Sequence, residues 1–322
     1  MRRFAVSEGT QTVVRWVAAL AVVGACAFYL ARQIDPAALG RALTGADYRL
    51  VALMSLGHLA LLLPLKALRW QAMLAPMRRL PLATLYRYCL AGCAVTNLLP
   101  ARAGHAVRVV LVRGDGVPVA GAVAVQLLEE ICNTVVLGAI CLPLPFLLPL
   151  PGRVRATLAL VTAGAALGVA LGVGLAVAGR ARPSGIVRRI SEGVAVLGNG
   201  RAAALVFTLT AAMWLLDLGQ IALAMAAVHL PPSFAGAALV LLFVNLTNAL
   251  PATPGQLGMF EAGAAAACVA VGATPEQGVA VGVLYHMMQF IPETVLGLLV
   301  VGRGLLGRAQ VAATGVGMAH DG

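Results

Sequence analysis

Long apolar runs divided by short, arginine-rich loops dominate the chain. A helix crossing a bilayer core needs about 20 apolar residues. Runs of that kind predict six spans, at about 12–31, 49–68, 118–142, 154–178, 202–229 and 276–302. Two further apolar stretches, 82–117 and 234–272, are interrupted in the middle. The first interruption reads Asn97-Leu-Leu-Pro100-Ala-Arg102-Ala-Gly104 and the second Asn248-Ala-Leu-Pro251-Ala-Thr-Pro254-Gly255. Both follow the frame N-x-L-P-A-x-x-G. Proline removes a backbone donor and glycine tolerates positive φ, so each copy should break a helix. The limb after the first break, 104–117, holds Arg108, Arg113 and Asp115. It is too short and too charged to cross, so 82–117 reads as a re-entrant hairpin, and 234–272 as a second.

The resemblance between halves extends past the breaks. Pro118-Val-Ala-Gly121 matches Pro275-Glu-Gln-Gly278, and Thr134-Val-Val-Leu137-Gly138 matches Thr294-Val-Leu296-Gly297 with one residue fewer. Each half is then two spans, a hairpin and one span, and the odd span count inverts the second copy. The expected fold is all-α: a polytopic membrane domain over 1–309, with inverted repeats at about 12–142 and 154–302 and a disordered tail at 310–322. Matched helix breaks in two inverted halves are the sequence mark of a transporter's binding site, because backbone opened inside a bilayer must be satisfied by protein or water.

Composition agrees. Of 322 residues, 61% are hydrophobic and 11% charged, against roughly 25% charged in soluble domains. The net charge of +11 comes from 22 Arg and one Lys. These cations cluster in loops, which encodes topology and does not point to nucleic acid. The N-terminus, 69–87, Arg113, 179–201 and 303–308 fall on one face, so both termini are expected in the cytoplasm of an inner-membrane protein. Arg2, Arg3 and Arg15 before the apolar run 17–30 resemble a signal peptide, but the topology requires that segment as a span.

The six cysteines (26, 89, 93, 132, 141 and 268) lie in or beside apolar segments and read as small buried side chains. No metal or cofactor is expected, since no His or carboxylate joins Cys89 and Cys93 at ligand spacing. Gly164, Gly168 and Gly172 line one face of the span at 154–178 and would meet a second copy or a partner enzyme.

Ionisable groups at membrane depth cost about 2.5–3.5 kcal/mol each on insertion scales, so each is a functional candidate. Around the breaks these are Arg102, His105, Arg108 and Glu261, with Asn97 and Asn248 opening each break. A cationic break exposing helix-end N–H groups suits an anionic group such as a phosphate; the bland alternative is arginines snorkelling to water. Glu129 aligns with His286 through the repeat, and with Asp217 they form a candidate proton relay. Glu130 and Glu293 are further buried acids; Lys66 and Arg69 read as interfacial anchors, and His58 as a packing residue.

At these residues the chain resembles the transmembrane region of the lysylphosphatidylglycerol synthase family, over about 60–300. The first motif, N-x-x-P-x-R-x-G-E-x-x-R, is matched by Asn97, Pro100, Arg102, Gly104 and Arg108, with His105 in place of Glu. The second, P-x-x-P-G-G-x-G-x-x-E, is matched by Pro251, Pro254, Gly255, Gly258 and Glu261, with Gln256 in place of Gly. Where the family often shows E-R-x-x-D and Tyr-Arg, this chain has Glu129-Glu130-Ile-Cys-Asn133 and Tyr285-His286. The resemblance implies movement of an anionic or aminoacylated phospholipid, or a related lipid, between leaflets. With the chain ending directly after the last span, no synthase activity is expected. The alternative is a non-transporting partner of a lipid-modifying or glycosyl-transferring enzyme. No Ser/His/Asp set, metal cluster or nucleotide loop argues for an enzyme.

Overall fold

The computed structural model describes residues 34–99, 103–148, 195–248 and 254–317, with isolated residues between 152 and 164. The span expected at 12–31 and most of that at 154–178 lie outside the described residues, as do Arg102 and the centres of both breaks. Among the described residues the fold is entirely helical.

Helix α1, Pro36–Thr44, starts on Asp35, whose carboxylate accepts from the Ala37 N–H, with Pro36 preset for the first turn. Asp47 caps α2, Tyr48–Gly57, in the same way through the Arg49 N–H. A π-helical turn, His58–Leu62, then joins α2 to α3, Leu63–Leu74. Together Tyr48–Leu74 form one 27-residue apolar stretch of crossing length. Its continuity explains why it outruns the expected 49–68: Lys66 and Arg69 lie inside the helix, not beyond its end.

The other described stretches of crossing length are Val119–Leu147, Gly200–Ala227 and Pro275–Gly302. The first contains α6, Val119–Cys141, and a short turn of helix, α7, Leu144–Leu147. The second is α8, Gly200–Ala227, capped by Asn199 through Arg201 and Ala202 N–H groups. The third belongs to α11, Pro275–Gly317, which holds Pro292 within it. α11 continues into the segment 310–322 expected as a disordered tail.

The two interrupted stretches each form a pair of short helices. α4, Leu82–Leu98, ends where Leu99 turns extended, and α5 resumes at Ala103–Gly114. α9, Phe234–Asn248, and α10, Met259–Ala270, flank the second break, where Gly255 and Gly258 take positive φ of 62° and 84°. These four helices, of 17, 12, 15 and 12 residues, fall short of crossing length.

Glycine sets how tightly the first pair closes. A Cβ at Gly104 would overlap the Gly92 carbonyl oxygen, so α4 and α5 touch backbone to backbone. The described flanks of the two breaks also approach each other. A Cβ at Gly255 would lie 3.0 Å from the Asn97 carbonyl oxygen and 2.7 Å from the Phe290 ring. Asn97 donates from Nδ2 to Thr294 Oγ1 at 3.0 Å and the Phe290 carbonyl at 3.4 Å. The flanks of both breaks are thus held against the middle of α11, on the side of Pro292.

Two apolar clusters hold this arrangement. One joins α3 to α6 with the start of α8, around Trp70, Met73, Leu85, Val112 and Val125. The other joins α8 to α11, around Ile221, Leu239, Phe260 and Leu284. The polar site lies where they adjoin.

Candidate functional site

A cavity of about 190 Å³ opens between the long helices and α5. Each wall brings charge. The π-helical turn supplies His58 and α3 supplies Lys66 and Arg69; α5 supplies His105 and Arg108; α6 supplies Glu129, Glu130 and Asn133; α8 supplies Trp214 and Asp217; α11 supplies Gln289 and Glu293. The spacing on α6 places Glu129 and Asn133 one turn apart on a common face.

Glu129 is the hub. Its Oε1 accepts from Arg69 Nη2 at 2.5 Å, and its Oε2 from Trp70 Nε1 at 2.7 Å and Arg108 Nη1 at 3.1 Å. Gln126 Nε2 also reaches Oε2, at 3.3 Å. Arg69 spends its other Nη on Asn133 Oδ1 at 2.7 Å and Thr210 Oγ1 at 3.1 Å. The Arg108 guanidinium lies 4.5 Å from the centre of the Trp70 ring, a cation–π contact. Glu129, Arg69 and Arg108 are 2%, 1% and 5% exposed, so solvent screens these pairs little.

Arg69 is therefore no interfacial anchor. Its neighbours place it in the core, because its carboxylate partner arrives from α6. Lys66 departs from the anchor reading too. It borders the cavity, its nearest hydrogen-bonding neighbour is Cys93 Sγ at 4.0 Å, and among the described residues no carboxylate lies within ion-pair distance. His58 does more than pack: its Nε2 meets Glu293 Oε1 at 2.9 Å, with both residues buried.

His105 and Arg108 line the cavity as neighbours on α5, and His105 Nδ1 bonds Gln126. Asp217 lines it from α8 and accepts from the Tyr285 hydroxyl at 3.2 Å. Asn97 does not line it; its side chain is committed to α11. The Asn248 side chain and Arg102 lie outside the described residues.

Glu261 and His286 form a second, separate cluster. Glu261 Oε2 accepts from the Gly258 N–H at 2.7 Å, capping α10, and Oε1 meets His286 Nδ1 at 2.7 Å. Phe260 stacks on the imidazole at 4.3 Å. Repeat symmetry aligned Glu129 with His286, at equivalent depths, as members of one candidate relay. In the structure Glu129 pairs with arginines and His286 with Glu261, and of the three relay candidates Glu129 and Asp217 line the cavity while His286 does not.

A family model for the lysylphosphatidylglycerol synthase TM region matches residues 16–297. No curated protein matches the chain.

Proposed function

The chain belongs to the lysylphosphatidylglycerol synthase transmembrane-region family, and from that premise and the buried charge cluster we propose that it is a lipid translocase. It moves an anionic or aminoacylated phospholipid, or a related lipid, between the leaflets of the inner membrane, and is not an enzyme. Both termini lie in the cytoplasm. The two short helix pairs enter from opposite faces as re-entrant hairpins, and head groups pass the place where their breaks meet.

The observation that carries this reading is Lys66. Burying charge in an apolar core is expensive unless it is paired. The two arginines of the cavity are held by Glu129, whereas the Lys66 ammonium faces the cavity with no carboxylate of its own. A head-group phosphate entering the cavity gives Lys66 the close ion-pair partner it lacks, and acyl chains remain in the surrounding lipid. The carboxylates of Asp217 on α8 and Glu130 on α6, which also line the cavity, offer a place for an amine.

A phospholipid carrying a photoactivatable group on its head tests this. In nanodiscs, cross-links are expected on peptides containing Lys66, His105 or Arg108, and Lys66→Gln should weaken them. Labelling confined to the outer surfaces of α6 and α8 would place the head group outside the cavity and refute the proposal.

A further inference from the structure

The pair His58–Glu293 sits at two helix irregularities. His58 opens the π-helical turn within Tyr48–Leu74, and Glu293 directly follows Pro292 within α11. Such turns inside a spanning helix recur at functional sites, since they release backbone from the regular ladder. Here they bring a histidine and a carboxylate together in the wall of the cavity, 2% and 8% exposed.

With Glu293 ionised, His58 donates its Nε2–H to Oε1, and a neutral imidazole then keeps an unprotonated Nδ1. That Nδ1 has no hydrogen-bond partner among the described residues. A proton arriving there makes an imidazolium already paired to a carboxylate, with no side chain needing to move.

The cavity's charge gives this proton a purpose. Facing the pair are Lys66 on α3, Tyr86 and Cys93 on α4, and Asp217 on α8. Across the cavity stand Arg69, Arg108, Glu129 and Glu130, with His105 beside them. Among the described residues, with both histidines neutral and Tyr86 and Cys93 uncharged, Lys66 and the two arginines face four carboxylates. The formal balance is one negative charge, and a proton on His58 brings it to zero. An anionic head group entering without that proton would raise the buried negative charge further.

We propose that the His58–Glu293 pair is a proton-binding site linked to head-group binding, so that an anionic lipid and a proton enter the cavity together. This rests on the translocase reading. Linkage fixes the sign: where anion and proton enter together, binding takes up protons and strengthens as pH falls. Proton and lipid then move in the same direction, and a transmembrane pH gradient drives the lipid.

The test is calorimetry of the whole protein in detergent with dihexanoyl phosphatidylglycerol, near neutral pH, in buffers of differing ionisation enthalpy. The dependence of heat on buffer reports proton uptake, expected at up to about one proton per lipid bound. Glu293→Gln and His58→Gln should each weaken binding near neutral pH and abolish its strengthening at lower pH, and uptake or pH dependence unchanged in both folded variants would overturn the proton site; two variants guard against one failing to fold. Binding by the wild type with heat independent of buffer would overturn the proton site and leave the translocase reading standing. No binding under any condition would overturn both. In liposomes, wild-type lipid movement should respond to an imposed pH gradient and His58→Gln should not. Equal movement by the wild type with and without the gradient contradicts the coupling alone.

Discussion

Glu129→Leu isolates what holds the cavity wall together. The carboxylate takes hydrogen bonds from two guanidinium groups, an indole N–H and an amide. Removing one partner of a buried ion pair costs about 3–5 kcal/mol, because the other charge is left buried and unpaired. Arg69 keeps Asn133 and Thr210, which limits its share, whereas Arg108 keeps the face of Trp70 and loses its carboxylate. A loss of about 3–5 kcal/mol, at roughly 2–4 °C per kcal/mol for a large domain, lowers the unfolding midpoint by about 6–20 °C. Glu129→Gln should lose less, since an amide oxygen still accepts from Trp70 Nε1. Combining Glu129→Leu with Arg108→Leu should recover part of the loss, because an apolar pair replaces an ionic one at little cost. Unfolding of the detergent-solubilised protein, followed by tryptophan fluorescence, measures all three. A Glu129→Leu midpoint within 2 °C of wild type, or a double variant worse than the sum of the singles, would refute the hub.

The break makes its own predictions. Arg102→Lys should impair lipid movement strongly and Arg102→Ala abolish it, since lysine keeps the charge but loses the bidentate fork; Arg78→Ala, in the loop, is the control. A transport assay in which Arg102→Lys matches wild type would reduce the arginine to a topology signal. Gly104→Ala should prevent α4 and α5 from closing, seen as aggregation on size exclusion, because the added methyl would overlap the Gly92 carbonyl. Normal elution and melting of that variant would deny the close approach. Single cysteines at Leu147 and Ser184 in a cysteine-free background should label from opposite faces; labelling from one side would end the six-span topology.

Much of this architecture was legible as pattern. Apolar run length located the four described crossing helices, and the N-x-L-P-A-x-x-G frame located both interruptions, because proline and glycine act through local backbone geometry. The cost of burying charge singled out Arg108, Glu129 and Asp217, which the fold does bring to one cavity. Partners were harder to read. Arg69 near the end of a predicted span looks like a snorkelling anchor until α6 supplies Glu129 from 60 positions away. His58 looks like a packing residue until α11 supplies Glu293, 235 positions away. Repeat symmetry aligned Glu129 with His286, yet each side chain follows its local partners. The π-helical turn at His58 left no sign in the apolar pattern, which is continuous through it.

The most direct measurement is lipid movement by the purified protein alone. With a head-group-labelled anionic phospholipid in liposomes, a membrane-impermeant quencher reports how much label remains in the inner leaflet. Protein-containing vesicles should lose the inner-leaflet fraction faster than protein-free ones, and Lys66→Gln should slow that loss. Movement no faster than in empty vesicles, with the protein folded and inserted, would contradict a translocase and favour a membrane partner of a lipid-modifying enzyme.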